Sequence, residues 1–368
     1  MKRIIKYAAL LFALVLAATI IGSCLSLGVS LVQNLRDELD YSDVQNDGNN
    51  SLWYRTEEGD VVFLGMKFGG EGKVKSGSEL FAGTEIDSLD IEVGSGELII
   101  ETWDSDSVSV VYENIPEEYE IFVDDKTLVI EKEGKIVVWG VSFTKTPKIY
   151  VKVPAGKSFR QVDVDKGSGS AKLIGLSIDD LNLDNGSGGL GVTDVTTRTI
   201  SVDSGSGGVN LSGVTAEKSV FNSGSGSFVV QNSELGVTSM DTGSGFVNFE
   251  NIVAENFVLD TGSGRVDVSG ILTGNCFFES GSGSLNVAVY GKMEDYNFRT
   301  DMGSGGFYLN GVKEGKPNMS QEHADAKHLL VFEAGSGRIS LEFKAAPATM
   351  TDTVPDDTVS GSGENFER

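Results

Sequence analysis

Ten Gly-Ser-Gly tripeptides in this 368-residue sequence are preceded, two positions upstream, by a polar side chain. Nine of these are acids, Glu92, Asp165, Asp184, Asp203, Asp241, Asp260, Glu279, Asp301 and Glu333, and the tenth is Asn222. Carboxylates together with carbonyl oxygens are what a calcium ion takes as ligands. Asp165, Asp184, Asp203, Asp241, Asp260 and Asp301 are therefore candidate Ca²⁺ ligands. The competing role is structural, because Asp and Asn side chains also accept backbone N–H bonds in turns. Stacked about 5 Å apart, neighbouring carboxylates repel by roughly 0.8 kcal/mol even in water, so one of these roles must offset that. We expect each acid to support its own turn, since the nine-residue Gly-Gly-x-Gly-x-Asp repeat of calcium-binding solenoids does not occur.

Other residues with chemical potential are few. His323, Asp325 and His328, with Glu322 beside them, could hold a metal, but their spacing matches no standard zinc motif. Gly186-Ser-Gly-Gly-Leu-Gly191 has the spacing of a dinucleotide fingerprint, yet no helix pattern follows it, so we expect no cofactor there. Arg265 and Arg338 share one offset, three after their first Gly. Carbohydrate-cleaving chemistry would need carboxylates converging with such cations on one groove, whereas the acids here follow the repeat. Cys276 falls at an apolar position and Cys24 in an apolar run, so no disulfide framework is implied.

The elements that must position these residues follow from the repeat. Gly-Ser-Gly begins at Gly167, Gly186, Gly205, Gly224, Gly243, Gly262 and Gly281, in six equal steps of 19 residues. Copies at Gly94, Gly303 and Gly335 keep the tripeptide without the spacing, the last two steps being 22 and 32 residues. Four and six positions after the first Gly every residue is apolar, from Leu98 and Ile100 to Ile339 and Leu341; three before it all but Thr300 are apolar, and five before it all but Ser219 and Thr238. Apolar residues two apart mark a strand with one buried face. Each unit is thus two short strands about a Gly-Ser-Gly corner, closed by a looser corner. Two glycines per unit would cost a helix about 1 kcal/mol each. One unit cannot bury its own apolar face, so units stack in a β-solenoid. The rival is an antiparallel hairpin array, which would tolerate the unequal lengths that the six equal steps do not show.

In chain order, Lys2, Arg3 and Lys6 precede an apolar run from Tyr7 to Val32, long enough to cross a bilayer as one helix. The acids Asp37, Glu38, Asp40 and Asp43 follow it. Basic residues before the span place the N-terminus in the cytoplasm and the rest outside the cell membrane. The run is too long for a typical cleaved secretory signal, and Ile21-Gly-Ser-Cys24 only loosely resembles a lipoprotein box. We therefore predict a transmembrane anchor at 1–33, a polar linker at 34–84, an irregular first part of the β domain at 85–166, and regular Gly-Ser-Gly rungs at 167–344. The regular part carries an insertion at 311–328, and a disordered tail at 345–368 closes the chain. The net charge of −25 argues against nucleic acid and against flat adhesion to an anionic membrane surface.

The stretch Lys148-Ile-Tyr-Val-Lys-Val-Pro-Ala-Gly-Lys157, followed by Val162-Asp-Val-Asp-Lys-Gly-Ser-Gly169, resembles the bacterial β-strand-repeat family described as "putative adhesins", a domain of unknown function. The likeness runs from about Ile86 to Phe343; the 32-residue step and the tail depart from the family pattern. The resemblance implies a membrane anchor and a β-solenoid-like domain without catalysis. The expected role is adhesion to, or binding of, an envelope component or protein. An envelope-stress sensor acting through a membrane partner and a carbohydrate-active β-helix enzyme are the alternatives.

Overall fold

The computed structural model describes residues 53–55, 61–63, 66–68, 74–132, 146–315 and 318–348. The predicted span at 1–33, Cys24 and the tail beyond 348 lie outside the described residues, as do 133–145 of the predicted irregular part. No helix among the described residues is long and apolar enough to cross a membrane. Trp53–Arg55, Val61–Phe63 and Met66–Phe68 form a small antiparallel sheet by themselves, in a unit separate from the β domain that begins at Lys73.

The β domain is a solenoid. Strand Ser177–Asn185 pairs in parallel with Ser158–Lys166 on one side and Thr196–Ser204 on the other, always with a residue 19 positions away. The shorter strands Ser170–Ile174, Gly189–Thr193 and Gly208–Ser212 stack the same way. This parallel register rules out the hairpin array. The columns at four and six after the first Gly are buried, apart from a half-buried Leu309 near the end of the stack. Ser219 and Thr238, the two polar exceptions upstream, are also buried, and each hydroxyl donates to a backbone carbonyl, Leu235 at 2.8 Å and Gly236 at 3.1 Å.

Glycine's usual advantage at a sharp corner is its access to positive φ. Among the tripeptide glycines positive φ is confined to Gly96 and Gly169, both at the third position, so the regular rungs need glycine for another reason. The corner backbones stack directly on one another: the N–H groups of Gly186, Ser187 and Gly189 donate to the carbonyls of Lys166, Gly167 and Gly169, at 2.8–2.9 Å. A Cβ on Gly186 would lie 2.7 Å from the Gly167 carbonyl oxygen, and one on Gly188 would overlap that of Gly169. Left-handed backbone is instead concentrated at the second corner, in the column Gly175, Asp194, Gly213, Asn232 and Asn251. Gly, Asn and Asp are the residues that tolerate it.

Strands do not stack in sequence order at the two ends. Asn275–Ser280 pairs with His328–Ala334, which in turn pairs with Tyr296–Met302. Ser284–Tyr290, Arg338–Lys344 and Gly306–Leu309 follow the same order. The last rung in the chain is therefore seated inside the one before it. The N-terminal end repeats the device, because Ser88–Val93 lies between Thr127–Lys132 and Ser158–Lys166. The stretch read as irregular coils thus includes an extra rung stacked outside the first one.

Antiparallel segments then close both edges. Tyr119–Asp124 and Ser107–Pro116 cover the N-terminal end. Met319–Gln321 and Val312–Lys313, from the predicted insertion, pair with the outermost C-terminal strands. Val74–Ala82, assigned to the linker by its polarity, is a strand antiparallel to Ser107–Pro116. Its polarity reflects its place, because most of its residues are exposed. These segments cover the edges of the parallel rungs, and the edges that remain belong to short strands and to the polar, mostly exposed strand Val74–Ala82, a way of blunting edge-to-edge growth.

Candidate functional site

All nine acids of the column, and Asn222, are exposed on one face, in unbroken register. Asp165 stands beside Asp184, then Asp203, Asn222, Asp241, Asp260 and Glu279. Glu333 comes next, and Asp301 ends the row. The expected turn role is not seen among the described residues: no corner N–H is bonded to one of these carboxylates, and those of Gly186, Ser187 and Gly189 donate to carbonyls of the rung below. The repulsion therefore stands without that relief. At Asp184 partial desolvation, and then the charges of Asp165 and Asp203, hold the carboxyl above its ordinary range.

Such a group favours the folded state more when protonated, so its contribution to stability grows as pH falls through the folded value toward 3.8 and is lost as pH rises. Asp184→Asn is accordingly expected to raise the melting temperature at pH 7 in low salt. The gain corresponds to at most about 1 kcal/mol after solvent screening, and thermal scans should show it vanishing near pH 3. Calorimetric titration of Ca²⁺ into both proteins separates the two roles of the row. Saturable heat lost in the variant would assign Asp165, Asp184, Asp203, Asp241, Asp260 and Asp301 to cations; no heat would leave the row as plain like-charge stacking.

The histidines are drawn into the C-terminal edge. His328 Nδ1 accepts from the Gly274 N–H at 3.1 Å, and the His323 Nε2 lies 3.1 Å from Gln321 Nε2. Among the described residues no three His, Cys, Asp or Glu side chains gather around one point. Cys276 is fully buried and burial pushes its thiol up to about 11, so it packs as an apolar residue. Gly186–Gly188 is the corner between strands Ser177–Asn185 and Gly189–Thr193, so strand and not helix follows it.

Residue patterning alone left one column unread, the position just before the first Gly. It faces inward and, in the regular rungs, is polar: Lys166, Asn185, Ser204, Ser223, Thr242, Thr261 and Ser280 are all buried, while Val93, Met302 and Ala334 take the position in the end rungs. Lys166 donates to the Ser168 carbonyl at 2.8 Å, and burial lowers its pKa. Asn185 Nδ2 bridges to the Gly188 carbonyl and to Ser204 Oγ. The signal was present, since the position is two steps from an apolar column, but the tripeptide beside it suggested a solvent-facing turn.

Arg265 and Arg338, 73 residues apart, are brought together by the seating of the last rung. Arg265 pairs with Ser284, and Ser284 pairs with Arg338, so two strand spacings of about 4.8 Å separate them. Along the corner the serines run Ser263, Ser282, Ser336 and Ser304, in the order of the stacked rungs. These residues with Tyr308 and Lys313 line a shallow groove of about 630 Å³. The Arg338 guanidinium lies over the Tyr308 ring, 3.9 Å from its centre. Arg265 Nε donates to Asp267 at 2.8 Å. No carboxylate is among the groove's lining residues. Two guanidiniums, an ammonium, a phenol and a row of hydroxyls can hold a ligand rich in hydroxyl and anionic groups by many directed hydrogen bonds.

The family model for Toastrack DUF4097 matches residues 86–342. The chain belongs to the Toastrack family. No curated protein matches it. Among solved structures this Toastrack chain is similar to a "putative adhesin" from Bacteroides fragilis, at 13% identity and TM-score 0.37, covering 73% of this chain and 97% of that one. A "putative lipid binding protein" from Parabacteroides distasonis is 16% identical, with TM-score 0.49 and coverage of 74% and 98%. A "putative adhesin" from the same organism is 15% identical, with TM-score 0.41 and coverage of 75% and 99%. The Toastrack match ends within the last rung, at 342, so the seated rung and its edge strands lie almost wholly within the family domain.

Proposed function

We propose that this Toastrack protein is a non-catalytic binding protein of the bacterial envelope. It is anchored by one transmembrane segment at 1–33, and its solenoid stands outside the cytoplasm. The groove of Arg265, Arg338, Tyr308 and the corner serines carries this reading, because it is a cationic, hydroxyl-lined surface on a chain of net charge −25. The ligand class it favours is an envelope polymer bearing both hydroxyl and anionic groups. Long-range repulsion from the acidic chain is screened beyond about 8 Å at physiological salt, so the local cations decide contact. Binding is favoured over hydrolysis because the groove supplies no pair of carboxylates to flank a cleavable bond.

The placement is tested by fractionating cells that express the full chain. The expected result is that the protein stays with membranes through alkaline carbonate washing, and that protease added to cells with a permeabilised outer layer degrades the solenoid. Release by carbonate, or full protection from protease, would contradict it.

A further inference from the structure

A second concavity lies at the other end of the strands that form the groove. Ser284–Tyr290 and Arg338–Lys344 start in the groove with Ser284 and Arg338, and end about 20 Å away at Tyr290 and Lys344. There the chain leaves the stack: the Gly291 N–H donates to the Lys344 carbonyl at 3.1 Å, and the Lys327 N–H to the Asp295 carbonyl at 3.2 Å. Between these segments opens a cavity of about 870 Å³, within the usual range for small-molecule sites.

Its walls combine two chemistries. Ile271, Ala345, Ala346 and the Tyr296 ring give an apolar side. The Tyr296 ring is fixed, packed against Phe343 at 5.5 Å, with its hydroxyl donating to the Leu272 carbonyl at 3.0 Å. Lys292, Lys327 and Lys344 come from three separate segments and meet at the same cavity, with Asp295 the one acid among the lining residues. The whole chain carries 54 acids against 29 Lys and Arg. Its balance is reversed here, where three of the five lysines after residue 226 stand. Lys344 is also paired with Glu342 at 2.6 Å, while Lys292 has no ion-pair partner among the described residues. Gathering three exposed ammonium groups at one cavity costs like-charge repulsion, which an anionic ligand would relieve.

We infer that this cavity binds one acyl chain of an anionic amphiphile, the chain lying along Ile271 and Tyr296 and the head group held by Lys292, Lys327 and Lys344. The head could belong to a free fatty carboxylate or to a membrane phospholipid; the shared chemistry is an anionic group on an acyl tail. The site is distinct from the polymer groove and does not depend on it.

The test uses the full chain in nanodiscs of zwitterionic lipid and a diazirine-bearing palmitate, with crosslinks mapped by mass spectrometry. Crosslinks are expected in peptides spanning 271–296 and 327–346. Oleate should compete them away and methyl oleate should not. Labelling should fall at least tenfold in a K292Q/K327Q/K344Q variant whose melting temperature is unchanged, and equally in Ile271→Trp, which fills the cavity and keeps the lysines. A parallel sample with diazirine-bearing phosphatidylglycerol identifies the source: labelling at the same peptides from the phospholipid alone assigns a membrane head group, and from palmitate alone a free acid. Labelling of these peptides by neither probe, or labelling that survives both variants or is displaced equally by the methyl ester, overturns the inference. Polymer binding at the groove is read separately, so loss of one leaves the other standing.

Discussion

Gly188→Ala is expected to abolish or severely destabilise the solenoid, while Gly189→Ala, one residue later, is expected to leave it intact. The added methyl at Gly188 would overlap the Gly169 carbonyl oxygen, whereas at Gly189 nothing lies within 4 Å. Relief at Gly188 would require the two corners to part, breaking the ladder that runs from Ser187 to Gly167 and from Gly189 to Gly169. The same geometry recurs at Gly207, Gly226, Gly245, Gly264 and Gly283, so one opened corner also strains its neighbours. A cost of several kcal/mol is of the same order as the whole stability of a domain, roughly 5–15 kcal/mol. Gly189→Ala removes backbone freedom from the unfolded chain and is expected to stabilise by about 0.5 kcal/mol. Circular dichroism melts of the two variants check this directly, and equal melting temperatures would refute the stacking explanation.

Phe332→Ala carries the second largest expected effect. Phe332 is fully buried in the seated last rung, stacked on Phe278 at 5.2 Å and near Phe307 at 6.2 Å. It therefore couples the regular array to the end rung, where Phe307 in turn meets Phe298 at 6.2 Å. Truncation of a buried Phe costs about 3–5 kcal/mol. Because rungs couple mainly to their neighbours, the loss should be local. Hydrogen exchange is expected to lose protection in Tyr296–Met302 and His328–Ala334 first, with Ser177–Asn185 still protected. Uniform loss across the domain would show that the rungs unfold as one unit, and unchanged protection at Tyr296–Met302 would show that the last rung is not the connector. Phe332→Leu, close in volume, should cost less than half as much.

The repeat makes the rung legible in the sequence, because side chains alternate strictly across a strand and the 19-residue step sets a single register. Which rung neighbours which at the ends was not readable. Gly281, Gly303 and Gly335 suggest a simple succession, yet the stack runs Gly281, Gly335, Gly303. Local patterning fixes which face a side chain takes, and not the order in which equivalent strands stack. Thr300, the one polar residue in its column, was the available hint that its rung belongs at the end, with less core to bury. The groove was hidden for the same reason: Arg265 and Arg338 shared an offset, but only the seating of the last rung makes them near neighbours. The acidic column was visible in full, and its assignment to turns failed because the corner N–H groups bond between rungs, a preference that only the parallel stack creates.

The direct test of the binding account is affinity electrophoresis of the full chain, in mild non-ionic detergent, through gels containing polygalacturonate, dextran sulfate or neutral dextran. The account predicts retardation by the two anionic polymers, weakened by added salt, at least tenfold weaker in an Arg265→Ser/Arg338→Ser variant and unaffected by Asp184→Asn. Retardation that persists in the arginine variant, or mobility that no anionic polymer changes, would contradict it.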